Sequence, residues 1–290
     1  MNKSSEFDKN GVISILCPTR ERPENVKKLV ESARKMASKP EALEFIFYVD
    51  HDDDTFPEVE DVVLVHGPRL WISNAQNILY SHAMGEILMT AGDDMEFLTR
   101  GWDETVRKTF EGIPDRIALV FGNDLATHAG DIAVHGFFHR RWVNALGTWV
   151  QPGRGSLWDL WSTDVAKKLD RFVYLKDLHI KHVHYRQGAK EASFDATYQY
   201  VYKNNSSFDP MKTYKLLERE RRIDTILLSE LMESKLPLDY RYYFSTLIHR
   251  FVEHKLSKIK SRKLLTLSNW ELFMLPLRRV ITGMKKTIHM

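Results

Sequence analysis

Short apolar runs broken by turn residues alternate with helical stripes along the first two-thirds of the chain. Val12-Ile13-Ser14-Ile15-Leu16-Cys17 is rich in β-branched residues and reads as a buried strand, closing into Pro18-Thr19-Arg20-Glu21-Arg22-Pro23. From about Glu24 to Ala37, the residues Val26, Leu29, Val30 and Ala33 recur on one face and predict an amphipathic helix. Phe45 to Val49 is the second predicted strand and runs into Asp50-His51-Asp52-Asp53-Asp54; Val62 to Val65 is the third. Ile72 to Ala83 predicts a helix, and Glu86 to Thr90 a fourth strand. Strand alternating with helix argues for an α/β fold, a mostly parallel sheet with flanking helices. Ligands bind such sheets beyond the carboxyl ends of the strands. Three of those ends carry chemistry here: Thr19-Arg20, Asp50 to Asp54, and Asp93-Asp94 after Gly92.

Adjacent carboxylates repel, so Asp93-Asp94 needs solvent or a neutralising partner. A divalent ion holding a diphosphate would neutralise it. A solvated acidic turn is the other reading, and in both the pair is expected at an exposed tip.

Downstream, Ile117 to Asp124 predicts another strand and loop, followed by His135-Gly136-Phe137-Phe138-His139-Arg140-Arg141-Trp142. Phe137 and Phe138 read first as core aromatics, with stacking on a sugar or base as the alternative. Gln151 to Ser156 is a loop by composition, and Arg154 in it offers counter-charge to a diphosphate. In Leu157-Trp158-Asp159-Leu160-Trp161-Ser162-Thr163-Asp164, the tryptophans around Asp159 would raise its pKa, which suits a general base. Asp164 competes for that role, although Ser162-Thr163-Asp164 is also an ordinary start for a helix from Val165 to Asp170. Leu178 to Tyr185 predicts a strand with His182 and His184 on one face and His179 on the other. Histidines two apart on a strand have metal-ligand geometry, with hydrogen-bonded structural histidines as the alternative. Lys212 to Leu231 predicts a helix.

Composition bounds the class. The chain has 290 residues, 43% apolar and 28% charged, as in an ordinary globular protein. Its single cysteine, Cys17, forms no internal disulfide, and neither a secretory leader nor a membrane-spanning run is visible, so a cytoplasmic location is expected. Charge is uneven: residues 1–150 hold 16 basic against 24 acidic residues, and residues 151–290 hold 26 against 15. After Asp239 there are 11 basic residues against Glu253 and Glu271. A basic tail on an acidic half points to a polyanionic partner, nucleic acid or an anionic membrane face; a merely solvated lysine-rich surface is the plainer reading.

Pro18-Thr19-Arg20-Glu21-Arg22-Pro23, then Val49-Asp50 and its acidic followers, then Asn77, Gly85-Glu86-Ile87 and the Asp-Asp pair resemble the GT-A glycosyltransferases of the family-2-like group. Gly92-Asp93-Asp94-Met95-Glu96-Phe97-Leu98-Thr99-Arg100-Gly101-Trp102-Asp103 resembles the short phage-type members in particular. The resemblance covers roughly residues 11 to 200. One departure is plain: Ala91 stands at the first position of the family's Asp-x-Asp, which leaves Asp93, followed by Asp94.

The resemblance implies a GT-A (Rossmann-like) domain over 1–205 and a helical, basic C-terminal region over 206–290. It implies Mn²⁺ or Mg²⁺ at Asp93 and Asp94, completed by a histidine, His184 first and His182 second. It implies a nucleotide-sugar donor, most often UDP-linked, with Thr19 and Arg20 flanking the base, Asp50 or Asp52 on the base or ribose, and Asn77 and Arg154 also on the donor side. Asp159 would deprotonate the acceptor hydroxyl in an inverting transfer. The expected acceptor is a hydroxymethylated base in DNA, of the hydroxymethylcytosine type, with Lys258, Lys260, Arg262 and Lys263 on its phosphates. A surface or lipid-linked glycan at an anionic membrane is the alternative acceptor. An inactive GT-A fold used as a binding module is the alternative of another class.

Overall fold

β1 (Ile13–Thr19) lies at the centre of a parallel block, and its residues are apolar toward both faces. Ile13, Ile15 and Cys17 join one core and Leu16 the other, as the period of two requires. The computed structural model describes residues 11–125, 130–147, 149, 157–183, 194–205 and 210–233. β2 (Leu43–Asp50) flanks β1, with Phe45, Phe47 and Val49 in the first core and Ile46 and Tyr48 in the second. β3 (Val62–Gly67) pairs parallel with β2, and β4 (Ile87–Thr90) pairs parallel with β1 on the other side. The full order is β3-β2-β1-β4-β7-β6-β8-β5, completed by β5 (Met95–Phe97), β6 (Leu119–Asn123), β7 (Phe137–His139) and β8 (Phe172–His182). β7 is antiparallel to both β4 and β6, β8 runs parallel to β6, and β5 closes antiparallel on β8. The fold is therefore the mixed α/β sheet with flanking helices expected from the sequence.

Helices cover both faces. α1 (Pro23–Met36) buries Val26, Leu29, Val30 and Ala33, and α3 (Trp102–Glu111) buries Trp102, Val106 and Phe110 in the same core. α2 (Ile72–His82), α4 (Arg140–Leu146) and α5 (Trp158–Lys168) pack into the other core. α6 (Ala196–Asn205), α7 (Pro210–Leu216) and α8 (Glu218–Glu233) complete the described helices. No helix among the described residues is long and apolar enough to cross a membrane.

Two expectations change, and the first reading of Phe137 and Phe138 holds. The helix placed at Val165–Asp170 begins seven residues earlier, so Ser162 and Thr163 are buried inside α5 instead of capping it. The Thr163 hydroxyl accepts the Ala133 N–H at 3.1 Å, a tertiary bond that local pattern cannot reveal. The helix placed at Lys212–Leu231 is two, α7 and α8. Phe137 and Phe138 are fully buried in β7, so they are core aromatics and not stacking platforms. The basic region beyond residue 233, with Lys258, Lys260, Arg262 and Lys263, lies outside the described residues.

Trp102 anchors the α1/α3 side. It is wholly buried, its indole N–H donates to the Ala33 carbonyl at 2.9 Å, and its ring lies 4.4 Å from that of Phe97. Trp102→Ala is expected to cost about 3–5 kcal/mol in urea unfolding, from lost burial and the cavity left behind. A loss below about 1 kcal/mol would mean that this core collapses around the gap.

Candidate active site

The chain leaves β1 through Arg20-Glu21-Arg22, and two arginines one residue apart turn to different carboxylates. Arg20 Nη1 donates to Asp50 Oδ2 at 3.0 Å and to Asp52 Oδ1 at 2.5 Å, and Nη2 donates to Asp52 Oδ2 at 2.9 Å. Arg22 Nη1 donates to Asp93 Oδ1 at 2.9 Å. Glu21 between them takes a left-handed backbone, φ 54°. The buried Asp53 holds it there: its carboxylate accepts the Glu21 N–H at 2.7 Å and the Thr55 N–H and hydroxyl at 2.9 and 2.7 Å. The acidic run after β2 is thus divided, with Asp53 shaping the loop and Asp50 and Asp52 facing Arg20. Burial raises the Asp50 carboxyl against the pull of Arg20, whereas the Arg20 hydrogen bond lowers that of exposed Asp52.

The Asp93-Asp94 pair is not an exposed tip. Asp93 is 4% exposed, and the structure divides the two carboxylates between different partners. Asp93 accepts the Thr19 hydroxyl at 2.7 Å as well as Arg22. Burial raises its carboxyl, against the charge of Arg22, and the charge of Asp94 adds to the rise. Asp94 instead sits with histidines. Its Oδ1 lies 3.3 Å from His182 Nε2, and its Oδ2 accepts the Tyr198 hydroxyl at 2.9 Å. Burial alone would raise the Asp94 carboxyl, but His182, His135 and Tyr198 together hold it well below the usual carboxylate range. The His182 imidazole is disfavoured as a cation by burial, yet Asp94 raises it above its ordinary value.

His135 completes the group. It precedes β7, and its ring stands edge-on to that of His182 with centroids 4.7 Å apart. One ligand atom each from Asp94, His135 and His182 lie within 4.8 Å of one another. Gly92 makes room for them, since a Cβ there would fall 2.7 Å from Asp94 Oδ1 and 3.2 Å from His135 Cε1. One carboxylate and two imidazoles fit a divalent transition ion. Mg²⁺ favours oxygen ligands throughout, so of the two ions expected from sequence this set suits Mn²⁺ better. Asp93, tied to Arg22 and Thr19, does not join the group. His184, the histidine first named from sequence, lies outside the described residues, as does Arg154.

Two sequence candidates are engaged elsewhere. The Asn77 side chain donates to the Ser73 carbonyl at 3.1 Å and accepts the Trp149 N–H at 3.0 Å, tying α2 to the tryptophan cluster. Its neighbour Gln76, fully buried, donates to the Leu16 and Ala91 carbonyls at 3.1 and 3.4 Å, where β1 and β4 part. Asp164 binds Lys168 and Arg221 at 2.7 and 2.9 Å, a structural ion-pair network between α5 and α8. Asp159 remains as the half-buried acid in the first turn of α5. Loss of solvent pushes its carboxyl up to about 6, against the Leu160 N–H that it accepts at 2.8 Å. α5 leads by a short turn into the start of β8, and the Asp159 charge acts on Tyr214 of α7.

Sequence reasoning missed His135, Arg22, Asp195 and Tyr198. Arg22 Nε and Nη2 fork onto Asp195 at 2.7 and 3.0 Å, and the Arg22 guanidinium lies 4.5 Å from the centre of the Tyr198 ring. Only Arg22, inside the motif after β1, had a local signal.

No protein-family model matches the chain, and no curated protein matches it. Among solved structures, residues 1–349 of TarS from S. aureus align at 12% identity and a TM-score of 0.44, over 58% of this chain and 59% of that one. The same protein in complex with UDP gives 11% and 0.45 over the same shares. The mannosyltransferase PcManGT from Pyrobaculum calidifontis, in complex with GDP-Man and Mn²⁺, aligns at 13% identity and a TM-score of 0.49, over 93% of this chain and 86% of that one. The chain thus spans about three-fifths of the TarS fragment. Likeness at this level carries no assignment of activity; the chemistry rests on the residues of this chain.

Proposed function

We propose that the chain is a metal-dependent glycosyltransferase that takes a sugar from a nucleotide-sugar donor to a hydroxyl acceptor. The observation that carries the reading is the Asp94-His135-His182 group beside Arg22, at the carboxyl ends of parallel strands. The resemblance of the β1, β2 and β4 exits to GT-A enzymes supports it further. A divalent cation held by the group would offset the charge that gathers on a departing diphosphate. The residues of the chain do the rest. Asp50, Asp52 and Arg20, clustered at the end of β2, would bind the base or ribose of the donor, with uridine the first choice. Asp93, itself fixed by the Thr19 hydroxyl, would hold Arg22 in place for phosphate. Asp159, with its raised pKa, would accept the proton of the attacking hydroxyl, which fits an inverting transfer.

The proposed acceptor is a hydroxymethylated base in DNA, supported by the basic composition after Asp239 and by the phage-type motif. The full chain, a panel of nucleotide sugars, Mn²⁺ and hydroxymethylcytosine-containing DNA test the reading together. Mass spectrometry is expected to find one hexose or related sugar added per modified base, and none in excess chelator. Donor hydrolysis without transfer to DNA would keep the enzyme and remove the DNA acceptor. No nucleoside diphosphate binding with Mn²⁺ present would remove the donor reading itself.

A further inference from the structure

Helix α6 lies across the crevice, and its side chains hold the groups that a donor would need. The Arg22 fork is occupied by Asp195, which also accepts the Tyr198 N–H at 3.0 Å in the first turn of α6. An arginine fork matches phosphate oxygens as well as it matches a carboxylate. Tyr198 places its hydroxyl on Asp94 Oδ2 while His182 faces Oδ1, so both oxygens of that carboxylate already have a partner. Thr197 donates to the Arg20 carbonyl at 3.4 Å. Arg69, 3.9 Å from Asp50, stacks on Tyr200 at 3.4 Å. The helix therefore touches the Arg20 exit and the Asp94 group directly, and reaches the Asp50 cluster through Arg69.

We propose that α6 is a strap that competes with the donor, Asp195 standing in for a phosphate on Arg22 and Tyr198 for the cation on Asp94. A ligand bearing a diphosphate and a divalent cation then has to displace both contacts, and its apparent affinity is lowered by the stability of the closed arrangement. The identity of that ligand rests on the donor reading above; the contacts do not. A buttress is the competing role: if Asp195 merely orients Arg22 for the donor, removing its charge weakens binding, the opposite sign.

Titration of the full chain with Mn²⁺ alone and with Mn²⁺ plus inorganic pyrophosphate separates the two roles. Asp195→Asn keeps the shape of the side chain, and Tyr198→Phe keeps the ring over Arg22 while removing only the hydroxyl. Asp195→Asn is expected to bind Mn²⁺-pyrophosphate about tenfold tighter than the wild type, the scale of one charge-assisted contact. Tyr198→Phe is expected to bind Mn²⁺ alone several-fold tighter. Hydrogen exchange across 194–205 should quicken in both variants, and in the wild type on adding Mn²⁺-pyrophosphate. Unchanged or weaker binding in both variants, or no pyrophosphate binding by any form, overturns the strap. Should Asp195→Asn fail to fold, Tyr198→Phe decides alone. Tightening toward pyrophosphate with no binding of UDP by any form upholds the strap and removes the uridine donor. Transfer from a UDP-sugar without any tightening does the reverse.

Discussion

Asp94→Asn is expected to remove Mn²⁺ binding from calorimetric detection and to lower transfer by about 10³-fold or more. A bound cation supplies several kcal/mol of charge stabilisation to a departing diphosphate, and each 1.36 kcal/mol is a factor of ten. Among the described residues Asp94 is the one carboxylate grouped with His135 and His182, and asparagine offers a neutral oxygen in its place. Asp93→Asn should behave differently. Asp93 is buried in the Thr19-Arg22 network, so its loss should lower stability and misplace Arg22 while leaving Mn²⁺ affinity closer to wild type. The contrast between neighbouring residues is the test. Undiminished Mn²⁺ binding by Asp94→Asn, with loss in Asp93→Asn, would move the ion to the other carboxylate.

Asp159→Asn carries the second large effect. Removal of a general base costs about 10²–10⁴-fold in rate, and donor binding should stay near wild type because the residue faces the acceptor in this reading. The pH profile adds an independent check. A base must be deprotonated to act, and burial pushes the Asp159 carboxyl up to about 6. Transfer by the wild type should therefore fall as pH drops through about 6 and level off above it. The residual activity of Asp159→Asn should lose that limb. A variant with wild-type transfer would end the assignment, and Asp164, bound to Arg221 and Lys168, is a poor substitute.

Much of this architecture was legible because burial and periodicity coincide in the first hundred residues. β1, β2 and β4 are continuous apolar runs, and the inner face of α1 repeats without interruption. β5 and β7, three residues each, are too short to generate a pattern. β8 begins at Phe172, six residues before the strand expected from Leu178, because its half-buried start, Phe172 to Leu175, is apolar throughout and shows no alternation. In the site, Asp94 stood out by its position after a strand end, and His182 by sharing one strand face with His184. His135 did not, since a histidine before Gly-Phe-Phe reads as the approach to a core strand; its place beside His182 depends on how β7, β6 and β8 stack. Asn77 was named for the donor side by resemblance alone, and its bonds to Ser73 and Trp149 depend on a helical phase that local pattern does not carry.

The sequence separations inside the carboxylate cluster set the time at which it can form. Tyr198 meets Asp94 across 104 residues, and Arg22 meets Asp195 across 173. At roughly 5–20 residues per second, a ribosome that has just added Asp94 needs about 5–20 s more to reach Tyr198. Through most of that interval neither His182 nor Tyr198, the later partners of Asp94, has been made, and His182 precedes Tyr198 by only 16 residues. On the proposed reading, cation capture would follow the synthesis of His182, so the parallel block of the sheet would fold without help from a bound ion.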